Sequence, residues 1–163
     1  MVEKFTDYMK VFDIDYNKII FEILSMPNVQ QEIIEYNQEQ LSTGRDGNDE
    51  KIITISAEEQ NQGEVYSLFT IKERSSKGLQ TRNVDLFDTG QFYNTFQVKV
   101  TKNSFEIIAN YNKPDGNILD NFDDKFEFNK LTDDNLEGFV WQVFFPKFQK
   151  AVTESLRINS SRL

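Results

Sequence analysis

Thr95-Phe96-Gln97-Val98-Lys99-Val100-Thr101-Lys102-Asn103-Ser104-Phe105-Glu106-Ile107-Ile108-Ala109 is the stretch that decides the fold class. Phe96, Val98 and Val100 alternate with Thr95, Gln97, Lys99 and Thr101, which is the period of a strand with one buried and one wet face. After the polar Lys102-Asn103 turn the alternation resumes at Phe105, Ile107 and Ala109, with Glu106 pointing the other way. The pattern predicts an antiparallel β-hairpin over about 95–110.

Upstream, helical periods dominate. Ile19, Ile20, Ile23 and Leu24 make one apolar stripe, and Pro27 sits where a second helix can begin, because its missing N–H would be an orphan there anyway. Val29, Ile33, Ile34, Tyr36 and Leu41 carry that second helix to Gly44, a C-capping residue. Residues 44–50 read as loop, and a short strand is expected at Lys51–Ser56, where Ile52, Ile53 and Ile55 are β-branched. Residues 57–64 offer nothing to bury and are expected to be exposed. Downstream, Pro114-Asp115-Gly116-Asn117 is a turn, and 117–130 alternates acids with Phe122, Phe126 and Phe128, which suggests an arm or an irregular strand. Thr132 is a natural N-cap for a long final helix, with Asp133, Asp134 and Glu137 near its positive end. Leu136, Phe139, Val140, Val143, Phe144 and Phe148 form its stripe, continued by Ala151, Val152 and Leu156, and Pro146 is expected to kink or split it.

The expected class is α+β: N-terminal helices and a long C-terminal helix packed on a small antiparallel sheet, with extended loops or arms. At 163 residues the chain suits a single domain. Within it, 1–44 is helical, 45–64 a loop or arm with a short strand, 65–111 helix and hairpin, 112–131 a loop or arm, and 132–158 the C-terminal helix.

Composition narrows the chemistry. The chain has no Cys and no His, which excludes disulfide scaffolds, the usual zinc sites and the Cys–His and Ser–His nucleophile systems. Met1 to Phe12 is too polar for a signal peptide, and no apolar run approaches the roughly 18 residues needed to span a bilayer, so a soluble intracellular domain is expected. The formal charge of -9 disfavours general nucleic-acid binding, including stacking of single strands near Phe87, Phe92 and Tyr93. That charge is uneven: 11 acids against 4 bases in residues 1–50, but 6 bases against 3 acids in residues 71–102. Residues 115–137 return to -6, and 138–163 end at +3. Patches of both signs on one fold suit encounter between copies.

Motifs with chemical potential fail on their surroundings. Asp88-Thr89-Gly90 begins like an aspartic-protease half-site, but Gln91 follows where a small residue belongs, and no later apolar-apolar-Gly segment supports it. Asp88 or Thr89 is instead expected to cap a short helix over Gly90–Asn94. Asp13-Ile14-Asp15-Tyr16-Asn17 imitates a calcium loop, yet Lys18 stands where Gly is required and Leu24 where the closing Glu belongs. Asp123-Asp124 and Asp133-Asp134 suit cap and solvent roles. Catalytic, cofactor-binding and metal-binding residues are therefore expected to be none, and the chain is not expected to be an enzyme. Trp141 and most of the 15 Phe are expected in the core, with some in patches that an oligomer covers.

Tyr66-Ser67-Leu68-Phe69-Thr70-Ile71, Lys77-Gly78, and Val84-Asp85-Leu86-Phe87-Asp88-Thr89-Gly90-Gln91-Phe92-Tyr93-Asn94-Thr95-Phe96 carry a resemblance. The stretch resembles the virion-morphogenesis and tail-completion proteins of tailed bacteriophages, which occupy the head–tail connector. Tyr66, Ser67, Phe69, Thr70, Leu86, Asp88, Thr89, Gly90, Phe92, Thr95 and Phe96 fill the positions of that pattern, over about residues 66–145. The resemblance implies a structural virion protein in an oligomeric neck ring. Its partners would be copies of itself, the portal and other neck or tail proteins. Double-stranded DNA would pass without specific binding, and no membrane would be involved. The implied location is the virion neck, with the host cytoplasm during assembly. Lys72, Arg74, Lys77, Arg82, Phe122, Phe126 and Phe128 are the candidate interface residues, with 42–64 and 112–130 reaching neighbouring subunits. The alternative is an acidic DNA mimic that occupies a nucleic-acid-binding enzyme, against which the basic 71–102 segment argues.

Overall fold

The computed structural model describes residues 14–60, 63–114 and 116–161. It is α+β. Helix α1 (Tyr16–Leu24) starts on Asp15, whose Oδ1 accepts the Lys18 N–H at 3.0 Å, so this Asp is a cap. Asp13 lies outside the described residues. Helix α2 (Pro27–Ser42) has Pro at its first position and ends in a Schellman turn. There the Gly44 N–H reaches Leu41 O at 2.9 Å and the Arg45 N–H reaches Gln40 O at 3.4 Å, with Gly44 at φ +77°. Ile19, Ile23, Leu24, Val29, Ile33 and Leu41 are buried from these two helices.

Strands β1 (Gln97–Val100) and β2 (Phe105–Ile108) form the expected hairpin, with Val98 opposite Ile107 and Val100 opposite Phe105. Its apolar face receives α2 and helix α5 (Asp133–Phe139), where the Phe105 and Phe139 rings meet edge to face at 5.8 Å. A second hairpin, β3 (Asn112–Lys113) with β4 (Gly116–Asn117), spans the Pro114 turn and leads into a 3-10 turn at Ile118–Asn121. Thr132 caps α5 as expected, accepting the Asn135 N–H at 3.2 Å. The helix then widens to π geometry at Val140–Phe144 and resumes as α6 (Phe145–Ser160), which packs against α1. Pro146 lacks an N–H, and the wider turn immediately before it absorbs that loss without ending the helix.

Several expectations are corrected. Lys51–Ser56 is not a strand: Lys51 makes one isolated bridge with Arg45, and residues Ile55–Gln60 form helix α3. The Ile52 N–H goes to Gly44 O and the Thr54 N–H to Val65 O, two unrelated segments that cannot make a ladder. Ala57 of α3 is buried, so the 57–64 stretch does contribute to the interior. Residues 112–130 are not a free arm. Phe122, Phe126 and Phe128 are 8%, 8% and 2% exposed and belong to the core, so they are not interface groups. Their rings meet one another, Phe122 to Phe128 at 5.2 Å, and the intervening acids turn outward. Within the 42–64 stretch, Asp46, Gly47, Ile52 and Ala57 are buried, so this part too is anchored to the body of the fold. Trp141 lies outside the core at 56% exposure, and Leu136 faces solvent.

Candidate functional site

The stretch that carries the resemblance folds into one compact unit. Ser67 starts helix α4 (Leu68–Ser76), its Oγ accepting the Thr70 N–H at 3.2 Å. The helix closes in a second Schellman turn: Gly78 N–H to Ser75 O at 3.1 Å and Leu79 N–H to Arg74 O at 3.0 Å, with Gly78 at φ +72°. The chain therefore doubles back, and residues 79–88 return along α4.

That return brings Asp85 onto Arg74, a pair buried at 8% each. Arg74 Nη2 reaches both Asp85 carboxylate oxygens, at 2.9 and 3.2 Å. Its Nε donates to Gln80 O and its Nη1 to Phe87 O, both at 2.8 Å. The guanidinium also lies over the Tyr66 ring at 4.8 Å. Asp85 Oδ1 further accepts the Phe87 N–H at 3.0 Å, and Gln80 Nε2 donates to Asp85 Oδ2. Tyr93 Oη donates to Asp85 O. Burial, then the neighbouring Asp85 carboxylate, pushes the Tyr66 and Tyr93 hydroxyls well above their ordinary range, so both remain proton donors.

Leu86 follows at φ +55°, a left-handed conformation that disfavours any side chain, and the bonds on either side of it hold it there. A cleft of about 320 Å³ lies beside this bend, between α4, residues 84–88 and the second hairpin. Thr54, Thr70, Glu73 and Lys113 contribute polar groups to its wall, and Leu86, Ile118 and Phe122 contribute apolar ones. On its rim Lys77 Nζ meets Asp88 at 3.0 Å. Arg74, which lines the cleft, and Asp85 are matched to each other and to backbone, so what this arrangement does is fix shape.

The residues of the pattern fall into distinct roles. Tyr66, Ser67, Thr70 and Leu86 build the unit just described. Asp88 bonds Lys77 and does not cap a helix, because the 3-10 turn at Tyr93–Thr95 has no side-chain cap. Thr89 is exposed. Gly90 takes φ +80°, where an added Cβ would also stand 3.3 Å from the Phe87 ring. Phe92 and Phe96 are core residues with ring centroids 5.0 Å apart. Thr95 Oγ1 accepts the Asn110 N–H at 3.0 Å, tying the entrance of β1 to the exit of β2. Phe69 stands in solvent at 74% exposure.

Of the candidate interface cations, Lys72, Lys77 and Arg82 are exposed, but Arg74 is not available, being spent on Asp85. Sequence reasoning did not anticipate that partnership. The signal was Asp85 itself, a carboxylate between apolar Val84 and Leu86 that, once buried, needs a counter-charge or a full set of hydrogen-bond donors. Among the described residues no group of acids is placed to hold a metal ion, and no helix is long and apolar enough to cross a membrane. No family model, curated protein or solved structure matches this chain.

Proposed function

We propose that this chain is a structural virion protein of a tailed bacteriophage, a subunit of an oligomeric ring at the head–tail connector or tail-completion level through which DNA passes. What carries the reading is the resemblance across Tyr66–Phe96 together with the work those residues do. Ser67, Gly90, Phe92, Thr95 and Phe96 are all architectural: a cap, a left-handed turn, two core rings and a strand clamp. A ring subunit needs such a rigid scaffold presenting surfaces to neighbours. Exposed Leu68, Phe69 and Trp141 supply apolar surface of the kind protein partners cover. Its partners are copies of itself and the adjoining portal, neck or tail proteins. An acidic chain lining a conduit lets phosphate slide without sticking.

The test is mass spectrometry of purified particles from the phage that encodes the chain. A stoichiometric component that stays with tailless or headless intermediates is expected. Absence from particles overturns the reading, and salt-sensitive capture of a host nuclease or polymerase in its place supports the DNA-mimic alternative.

A further inference from the structure

Helix α6 carries an apolar stripe that outruns the core. The helix runs for 16 residues, Phe145–Ser160, and none of them is buried. Phe148, Ala151 and Val152 pack on the core, but among the described residues Leu156 and Ile158 do not, and Ile158 is 40% exposed. At about 100° per residue, Leu156 and Ile158 flank the small side chains of Ala151 and Ser155 on that same side of the helix. The Ser155 hydroxyl donates to Ala151 O at 2.9 Å, so it asks nothing of an occupant. The end of α6 therefore presents a shallow apolar groove.

The chain itself enters beside this groove. Ile14 packs on the core, and the Tyr16 ring at the start of α1 meets the Phe148 ring at 6.2 Å. Only Asp13 separates Ile14 from Phe12, so covalent geometry keeps Phe12 within about 7 Å of Ile14. The sequence ahead of that junction is patterned. Val2, Phe5, Met9 and Phe12 follow the i, i+3, i+7, i+10 spacing of one helical stripe, and Glu3, Lys4, Asp7 and Lys10 fall on the other side. As a helix, residues 2–12 would measure about 16 Å, the distance along α6 from Phe148 to Ile158.

We propose that residues 2–12 form an amphipathic helix that docks, within the same chain, on the α6 groove between Leu156 and Ile158. Phe12 and Met9 begin the contact near Val152, and Phe5 carries it to Leu156. Tethering selects this occupant. A segment joined through one residue to the edge of the groove is present there at an effective concentration of about millimolar or more, above that of a second copy or a free partner. The open part of the stripe selects the direction. Toward the π turn, Val140, Val143 and Phe144 already pack on the core; toward Leu156 the stripe is uncovered. The end of α6 is thereby satisfied inside the chain, and Phe69 and Trp141 stay exposed for other partners. The inference does not depend on the ring-subunit reading.

Paramagnetic broadening in the full chain reads the contact. The chain has no cysteine, so Lys4→Cys carries a single nitroxide. In isotope-labelled protein the amide resonances of residues 152–159 are expected to broaden and to recover when the nitroxide is reduced, while those of the 97–108 hairpin stay sharp. Phe5→Asp in the same chain should abolish the broadening and speed amide exchange over 155–160 by at least about ten-fold, the loss of one docked ring. Leu156→Asp, at a half-buried position, should abolish the broadening as well, with circular dichroism checking that the variant is folded. Mixing the nitroxide chain with isotope-labelled chain that lacks it should leave α6 sharp, because the contact lies within one molecule. Broadening centred on Trp141 in place of Leu156, broadening that survives Phe5→Asp, or broadening of α6 in the mixed sample overturns the proposal. So does a nitroxide that broadens nothing beyond its own neighbours in sequence.

Discussion

Asp46 and Asp85 are both buried carboxylates, and they are held by different means. Asp85 faces a cation: Arg74 grips it from one helix while Gln80, Tyr66 and the Phe87 N–H fill in around it. Asp46 faces no cation among the described residues. Its Oδ1 accepts the N–H groups of Asn48 and Glu50 at 3.0 and 2.8 Å, and its Oδ2 accepts the Glu127 N–H at 3.0 Å. The first arrangement closes a loop of neighbouring sequence, and the second joins segments 81 residues apart. Around Asp46 the same tactic is repeated with amides. Asn37 Nδ2 donates to Phe128 O and Lys130 O, and Gln40 Oε1 accepts the Thr132 N–H. The lesson is that one region is locked by charge and the other by backbone hydrogen bonds, so the two should fail differently.

The largest effect is expected from Arg74→Ala, which leaves Asp85 buried without its counter-charge. A loss of about 3–5 kcal/mol is expected from urea unfolding. The double replacement Arg74→Met with Asp85→Leu should recover much of it, because no uncompensated charge then remains. If the double variant is as unstable as the single one, charge is not what locks this region.

Asp46→Ala strips the acceptor from N–H groups at 48, 50 and 127 and should cost about 2–4 kcal/mol. Asp46→Asn sharpens the contrast. Its carbonyl can serve Asn48 and Glu50, but its NH2 opposes the Glu127 N–H, so about 1–2 kcal/mol is expected. Amide hydrogen exchange should show the loss at Glu127 and not at Asn48.

Gly47→Ala probes the same junction sterically. An added Cβ would stand 2.5 Å from Lys130 Cβ and 2.8 Å from Lys130 O, so the strand of chain at 127–130 must shift, at about 1–3 kcal/mol. A variant with an unchanged urea midpoint would mean that the two segments are not tightly held together.

Alkaline pH sets the tyrosines of the charged region against Tyr111. Burial raises the Tyr111 hydroxyl from 10.0 to about 12, and Tyr66 and Tyr93 rise further. The unfolded chain releases these protons first. Their contribution to stability is therefore complete below pH 10 and declines as pH climbs through the folded values. Ultraviolet titration should show phenolate appearing late, with Tyr111→Phe removing the earliest of these delayed steps. Smallest of all, Ser67→Ala should cost about 1 kcal/mol, the usual value of an N-cap.

Local periodicity was enough to read the hairpin, α1, α2, the Thr132 cap and the disturbance at Pro146, because each depends on residues within a few positions. The misreadings share a cause. Ile52, Ile53 and Ile55 have strand propensity but no neighbouring strand with which to pair. Phe122, Phe126 and Phe128 sit among acids that suggest exposure, yet their rings find Tyr111 and one another. Arg74 looked like one more surface cation because its partner lies 11 residues away, beyond a turn.

By itself, then, the amino-acid order determined the α+β class, the sites of the principal helices and hairpin, and the segregation of charge along the chain. The tertiary structure alone decided which charged groups are consumed internally and which aromatic rings are left in water. That division follows from range. Helix and strand periods are set by backbone geometry over a few residues, whereas burial of Asp46 by Glu127, or exposure of Phe69, depends on which distant segments arrive beside them.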